Sequence, residues 1–274
     1  MTLTPHPVAI KMALGTDPIG PAQGEAVPTP SDPALLYVEV AACGSLAAAL
    51  RAEAEGGPGH GDVPFKASEH QPLLHATVES LLPHREPLRI SASRHERRWS
   101  IRGTEPFQGM PLVDGETADL AQLAAAARAW HDGTALDGIR RVAPFVHLTG
   151  RIETPDPDPA LMAESEWQGL RREADELEYV WRDTHRALIE TAYAEPTLRA
   201  LYPFTSHWAL RFSVTTRPNL TVVGPHLAAG SDGLYGVGRG IASSDLGRFA
   251  TAREAVAVAV RHLPSGLGPV TLGG

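Results

Sequence analysis

Ser206, His207 and Arg211 are the residues of this chain whose types and spacing come nearest to chemistry, and they fall in the stretch Thr197–Thr216, TLRALYPFTSHWALRFSVTT. An imidazole titrating near neutrality can act as a general acid or base, and a guanidinium can hold a carboxylate, phosphate or enolate oxygen. The stretch reads as a short helix stopped by Pro203, a polar corner at Thr205-Ser206-His207, and then a strand. In that strand Trp208, Leu210, Phe212 and Val214 alternate with His207, Ala209, Arg211 and Ser213. The alternation puts His207 and Arg211 on one face, roughly 13 Å apart. His207, Arg211 and Ser206 are therefore the candidate catalytic residues, with Arg89, Trp208 and Tyr202 as candidate substrate contacts. The structural alternative is that Arg211 pairs with Glu190 or Glu195 and only ties a helix to the sheet.

The elements that must position these residues suggest an α+β chain of two similar lobes, each a small antiparallel sheet packed on helices. Pro87–Ser93, PLRISAS, matches Ala209–Thr215, ALRFSVT, and the neighbouring segments follow in the same order. HATVESLLP parallels EPTLRALYP, WSIRG parallels LTVVG, a strand near Pro111–Asp114 parallels Gly233–Val237, and each unit enters a helix beginning Thr-Ala. This order suggests duplication of a helix, three-stranded sheet, helix unit, with Arg89 and Arg211 equivalent and a cleft between the lobes. The expected organisation is a flexible Pro-rich lead over residues 1–34, one lobe over 35–152 and a second over 159–264, separated by the acidic linker ETPDPDP.

Along the chain, Leu35–Ala42 reads as a strand, and a helix capped by Ser45 runs to Glu55 before Gly56-Gly57. A helix capped by Thr117 carries Leu120, Leu123, Ala127 and Trp130 inward, with His131 and Asp132 at its solvated end. FVHLTG at Phe145–Gly150 reads as an isolated strand. Asp158 and Pro159 start one long helix to Ala194, with Trp167, Leu170, Ala174, Leu177, Trp181 and Leu188 on its apolar stripe and His185 at the stripe's edge. Its charges fall into i, i+4 pairs: Arg171 with Asp175, Arg172 with Glu176, Glu178 with Arg182, and Arg186 with Glu190. Leu220–Val223 is a strand, Thr251–His262 a helix, and SGLGPVTLGG a frayed tail.

Composition and missing motifs exclude several function classes. The 274 residues, 43% hydrophobic, carry a net charge of -8 with no basic block, which argues against nucleic acid as a partner. Cys43, read as a buried small hydrophobe, is the only cysteine, so no intramolecular disulfide or multi-cysteine metal site is possible. His60, His70, His75, His84 and His95 lack ligand spacing, and neither HExxH, GxxxxGK[ST] nor GxSxG occurs. GVGRG at Gly236–Gly240 lacks the third glycine of a dinucleotide loop and reads as a sheet turn. No metal or cofactor is expected, and without a signal or a membrane-spanning run the expected compartment is the cytoplasm, with no membrane partner.

AAAARAWHDG followed by PFVHL, then ESEWQGL, and above all EPTLRALYPFTSHWALRFS resemble a family of uncharacterised actinobacterial proteins labelled natural product biosynthesis proteins. The resemblance runs from about Leu120 to Pro264. It implies a cytoplasmic accessory protein encoded with secondary-metabolite pathways and supplies no catalytic residue. Two functions fit. One is a cofactorless acid/base enzyme such as a cyclase, isomerase or lyase, using His207 and Arg211 on a small-molecule or peptide pathway intermediate. The other is a module that binds a carrier protein, precursor peptide or partner enzyme through the same arginines.

Overall fold

A computed structural model describes residues 32–55, 62–240 and 243–274. The N-terminal segment before residue 32, Gly56-Gly57 and His60 lie outside these. Three helices come first: α1 (Pro33–Leu36), α2 (Val38–Ala42) and α3 (Leu46–Glu55). The expected strand at Leu35–Ala42 is therefore helical. Asp32 accepts a hydrogen bond from the Ala34 backbone N–H with Pro33 in the first turn, and Tyr37 and Val40 turn inward three residues apart, a helical spacing. Cys43, just past α2, is exposed rather than buried.

A six-stranded antiparallel sheet follows in sequence order: β1 (Phe65–Ala67), β2 (His75–Val78), β3 (Leu88–Ala92), β4 (Trp99–Thr104), β5 (Pro111–Thr117) and β6 (Val146–Leu148). Helices α4 (Leu120–His131) and α5 (Leu136–Val142) stand between the last two strands. The cap of α4 is Asp119, which accepts from Ala121 and Gln122, and not Thr117. β6 is an edge strand paired to β5, not an isolated one. Trp99, Trp130, Tyr37 and the inward residues of α3 and α4 make a single core on this sheet. Gly103 of β4 lies under the Trp130 indole, where a Cβ would stand 2.5 Å from the ring.

The C-terminal half opens with α6 (Pro159–Glu176), α7 (Arg182–Ala194) and α8 (Pro196–Arg199). As expected, Asp158 caps α6 and Pro159 is its first residue. The long helix to Ala194 does not form: it breaks over residues 177–181, where Tyr179, Val180 and Trp181 are a run of weak helix formers. The two halves fold back antiparallel, so the salt bridges are mostly between helices. Arg171 pairs with Glu190 at 2.7 Å and Arg186 with Asp175 at 3.8 Å, while only Arg172–Glu176 keeps the i, i+4 pairing.

These helices and α9 (Ala252–Arg261) pack on a five-stranded antiparallel sheet of β7 (Tyr202–Ser206), β8 (Ala209–Ser213), β10 (Val222–Ala229), β11 (Tyr235–Gly238) and β12 (Gly247–Phe249), in the order β12-β11-β10-β8-β7. Thr251 and Glu254 form a capping box at the start of α9. The tail is not frayed: β13 (Thr271–Gly273) pairs in parallel with β9 (Thr215–Pro218). The expected helix HATVESLLP is strand β2, whereas its counterpart EPTLR is α8, so the proposed helix-first repeat unit does not appear. Residues 31–274 form one compact unit containing both sheets. Among the described residues no helix is long and apolar enough to cross a membrane.

Candidate functional site

The predicted stretch folds as an edge hairpin. Pro203 lies within β7, the outermost strand of its sheet, where its missing N–H costs little. Ser206 and Ala209 are the last paired residues, so His207 and Trp208 alone form the turn. Both have positive φ, 52° and 65°, as the tight two-residue hairpin turn requires. That conformation is unfavourable for an L-residue with a bulky side chain. His207 is thus an exposed turn residue and does not share the strand face of Arg211. The core-facing pattern is otherwise as expected, with Leu210 and Phe212 fully buried.

The predicted site residues are dispersed. Ser206 Oγ lies 3.2 Å from His207 Nδ1 at the hairpin tip. Arg211, opposite Phe204 in the β7–β8 register, places its guanidinium 5.8 Å from the centre of the Phe204 ring. It does not tie helix to sheet, because Glu190 pairs with Arg171 and Glu195 caps α8. Arg89 is exposed on β3, in the other sheet, between Thr77 and Arg102. Tyr202 is fully buried, its hydroxyl lacks a hydrogen-bond partner, and burial holds its pKa well above the usual tyrosine value.

Trp208 does find neighbours. Its ring meets Trp181 at 5.2 Å and Tyr179 at 5.9 Å, edge-on in both cases, and Tyr179 stacks on Trp181 with planes 6° apart. Below them His185 contacts Trp181 at 5.4 Å, is buried, has no partner for Nδ1, and is held neutral by burial, which lowers its pKa. Tyr179 is 53% exposed, Trp208 42% and Val180 97%. The helix break and the hairpin tip, distant in sequence, meet in one open aromatic platform. Other exposed apolar side chains include Leu35, Val38 and Leu81, and exposed apolar residues as such are ordinary on a protein surface.

The same connection leads into a cleft. Leu177 and Glu178 line a cavity of about 340 Å³ with Pro111, Asp114, His147, Thr149, Arg151 and, from α6, Gly169, Glu173 and Glu176. His147 bridges the two sheets' elements: Nδ1 is 2.9 Å from Asp114 and Nε2 2.7 Å from Glu176. Burial pulls its pKa down, but the two carboxylates outweigh that, so it is raised and the ring favours the charged form. With both nitrogens engaged it acts as a clasp. Arg151 makes a two-pronged pair with Glu166, at 3.0 and 3.1 Å.

Glu173 and Glu178 have no hydrogen-bond or ion-pair partner among the described residues. Glu173 is an exposed residue that lines the cleft. Burial raises its carboxyl pKa, Arg151 opposes this, and Glu166 adds to it. None of the cleft groups was identified from the sequence as a site residue. The available signal was charge: residues 173–183 hold five carboxylates and one arginine, an excess that i, i+4 pairing cannot absorb.

Residues 161–274 match the model of a family described only as a family of unknown function, DUF6193. The match covers α6 onward, including the platform and the α6 side of the cleft. No curated protein and no solved structure matches the chain.

Proposed function

We infer that this chain is a binding module that holds a precursor peptide, carrier protein or partner enzyme in natural product biosynthesis, and that the aromatic platform is its contact surface. One observation carries the reading. Two connections, a helix broken without Gly or Pro and a turn that holds a tryptophan at positive φ, converge to expose Tyr179, Val180 and Trp208 together. Strain and exposed apolar surface at one place are characteristic of recognition sites. Enrichment of aromatic residues at contact surfaces points the same way.

The second reading, a cofactorless cyclase, isomerase or lyase, is favoured by the cleft rather than by His207. A carboxyl whose pKa is raised by burial, as at Glu173, can deliver a proton nearer neutrality than an ordinary glutamate. The deciding experiment restores a gene deletion with variant alleles and measures the pathway product. Val180→Asp, which is expected to fold normally, fails to restore product if the platform is the working surface, whereas His207→Asn restores it. Restoration by Val180→Asp together with failure of Glu173→Gln would replace the binding reading with the enzyme reading.

A further inference from the structure

The platform and the cleft share the connection 177–181: Leu177 and Glu178 line the cleft, and Tyr179, Val180 and Trp181 form the platform. The charge around this joint is negative. Of the five carboxylates in residues 173–183, Asp175 is matched by Arg186, Asp183 by Arg182, and Glu176 by Arg172 and His147. Arg151, the cationic side chain at the back of the cleft, is taken by Glu166. Glu173 and Glu178 remain, unpaired and facing one cavity. Arg211, lying over the Phe204 ring, does not join the platform.

Two unpaired carboxylates in a partly enclosed cavity attract a cation, and exposed tyrosine and tryptophan faces add to that attraction through their quadrupoles. The apolar and acidic surfaces lie side by side and the platform is open, so a small amine would leave most of the apolar surface uncovered. A peptide satisfies both, because successive side chains can take different surfaces.

We propose that the occupant is a basic peptide segment, with an apolar residue lying on Tyr179, Val180 and Trp208 and a neighbouring arginine or lysine reaching Glu173 and Glu178. The proposal rests on the platform being a contact surface, and it reverses the sign of the partner that Arg89 and Arg211 suggest.

The test pans a phage-displayed dodecapeptide library on the whole chain, then titrates synthetic copies of the enriched peptides into the protein and its variants. Enriched peptides are expected to carry Arg or Lys within a few positions of an aromatic or branched aliphatic residue. Their affinity should fall about tenfold or more in Glu178→Lys, several-fold in Glu178→Gln, and to background in Val180→Asp, and should weaken with added salt. Glu69→Lys, an exposed change on the other side of the sequence's lobe boundary, leaves it unaltered. Peptides that need Val180 but are neutral or acidic, and indifferent to Glu178→Lys, overturn the basic occupant while leaving the platform standing. Absence of enrichment, or peptides indifferent to Val180→Asp, overturns both.

Discussion

Two of the molecule's aromatic clusters, one in each half, are built to opposite ends, while a third, Trp167 with Tyr193 and Phe212, lies in the core of the second half. In the first half Tyr37 packs on Trp99 at 5.1 Å, both fully buried. The Tyr37 hydroxyl lies within 3.0 Å of the carbonyls of Ser93, Glu96 and Arg98, so the tyrosine's polar end is satisfied inside the protein, although the Trp99 Nε1 has no partner. In the second half Tyr179, Trp181 and Trp208 contact one another as closely but stay open to solvent, over a buried histidine that lacks a partner for Nδ1. The same residue types thus close a core in one place and form a surface in the other. What differs is the backbone. Trp99 is held by regular strand pairing to Ala92 and Thr117, whereas the platform residues sit on a two-residue turn and an uncapped helix start.

This contrast predicts how substitutions divide between stability and binding. Trp99→Ala should cost about 3–5 kcal/mol in urea unfolding, the usual penalty for emptying a buried aromatic site. Trp208→Ala should cost less, about 1–2 kcal/mol, because part of the ring is already in water and only ring-edge contacts are lost. If the two losses are equal, the platform is a second core and the contrast fails. Val180→Asp should stay within about 0.5 kcal/mol of wild type, as an exposed substitution does.

Histidines sharpen the contrast through pH. His147 has a raised pKa in the folded state, so its contribution to stability is complete below about 6.5 and is lost as pH rises through the folded value. His185 has a lowered pKa, so the stability of its neutral, buried form is present above about 6.5 and declines as pH falls through the folded value. In a series of melting temperatures across pH, His147→Gln should flatten the alkaline limb and His185→Gln the acid limb. Effects on the same limb would contradict the opposite environments assigned to the two rings. The smallest effect is expected for His207→Asn. Asn tolerates positive φ, so the change should move stability by less than about 0.5 kcal/mol and leave binding unaltered.

Much of the framework was legible where local chemistry and tertiary packing agree. Asp158-Pro159 marked a helix start, and Thr251 was read as the beginning of another, because their side chains satisfy backbone donors within a few residues. Leu210 and Phe212 read correctly as inward because a half-buried strand alternates. The candidate site was not legible for the converse reason. LEYVW holds weak helix formers but no glycine or proline to mark a helix end, and SHWA lacks the glycine or asparagine by which a tight turn is usually recognised. Tertiary contact between Trp181 and Trp208 accompanies both departures. Leu35–Ala42 misled because a largely apolar run of eight residues fits either period. His147 read only as part of a strand, since its partners Asp114 and Glu176 lie 33 and 29 residues away.

The most direct measurement is site-specific photo-crosslinking in the native host. A benzophenone amino acid is placed at Val180 and, in a parallel strain, at Leu81, which is also exposed but lies in the first half of the molecule. A discrete higher-mass adduct is expected from position 180, absent at position 81, and lost when Glu178→Lys is combined with the probe. No adduct at 180, or the same adduct at both positions, would contradict a platform made for binding.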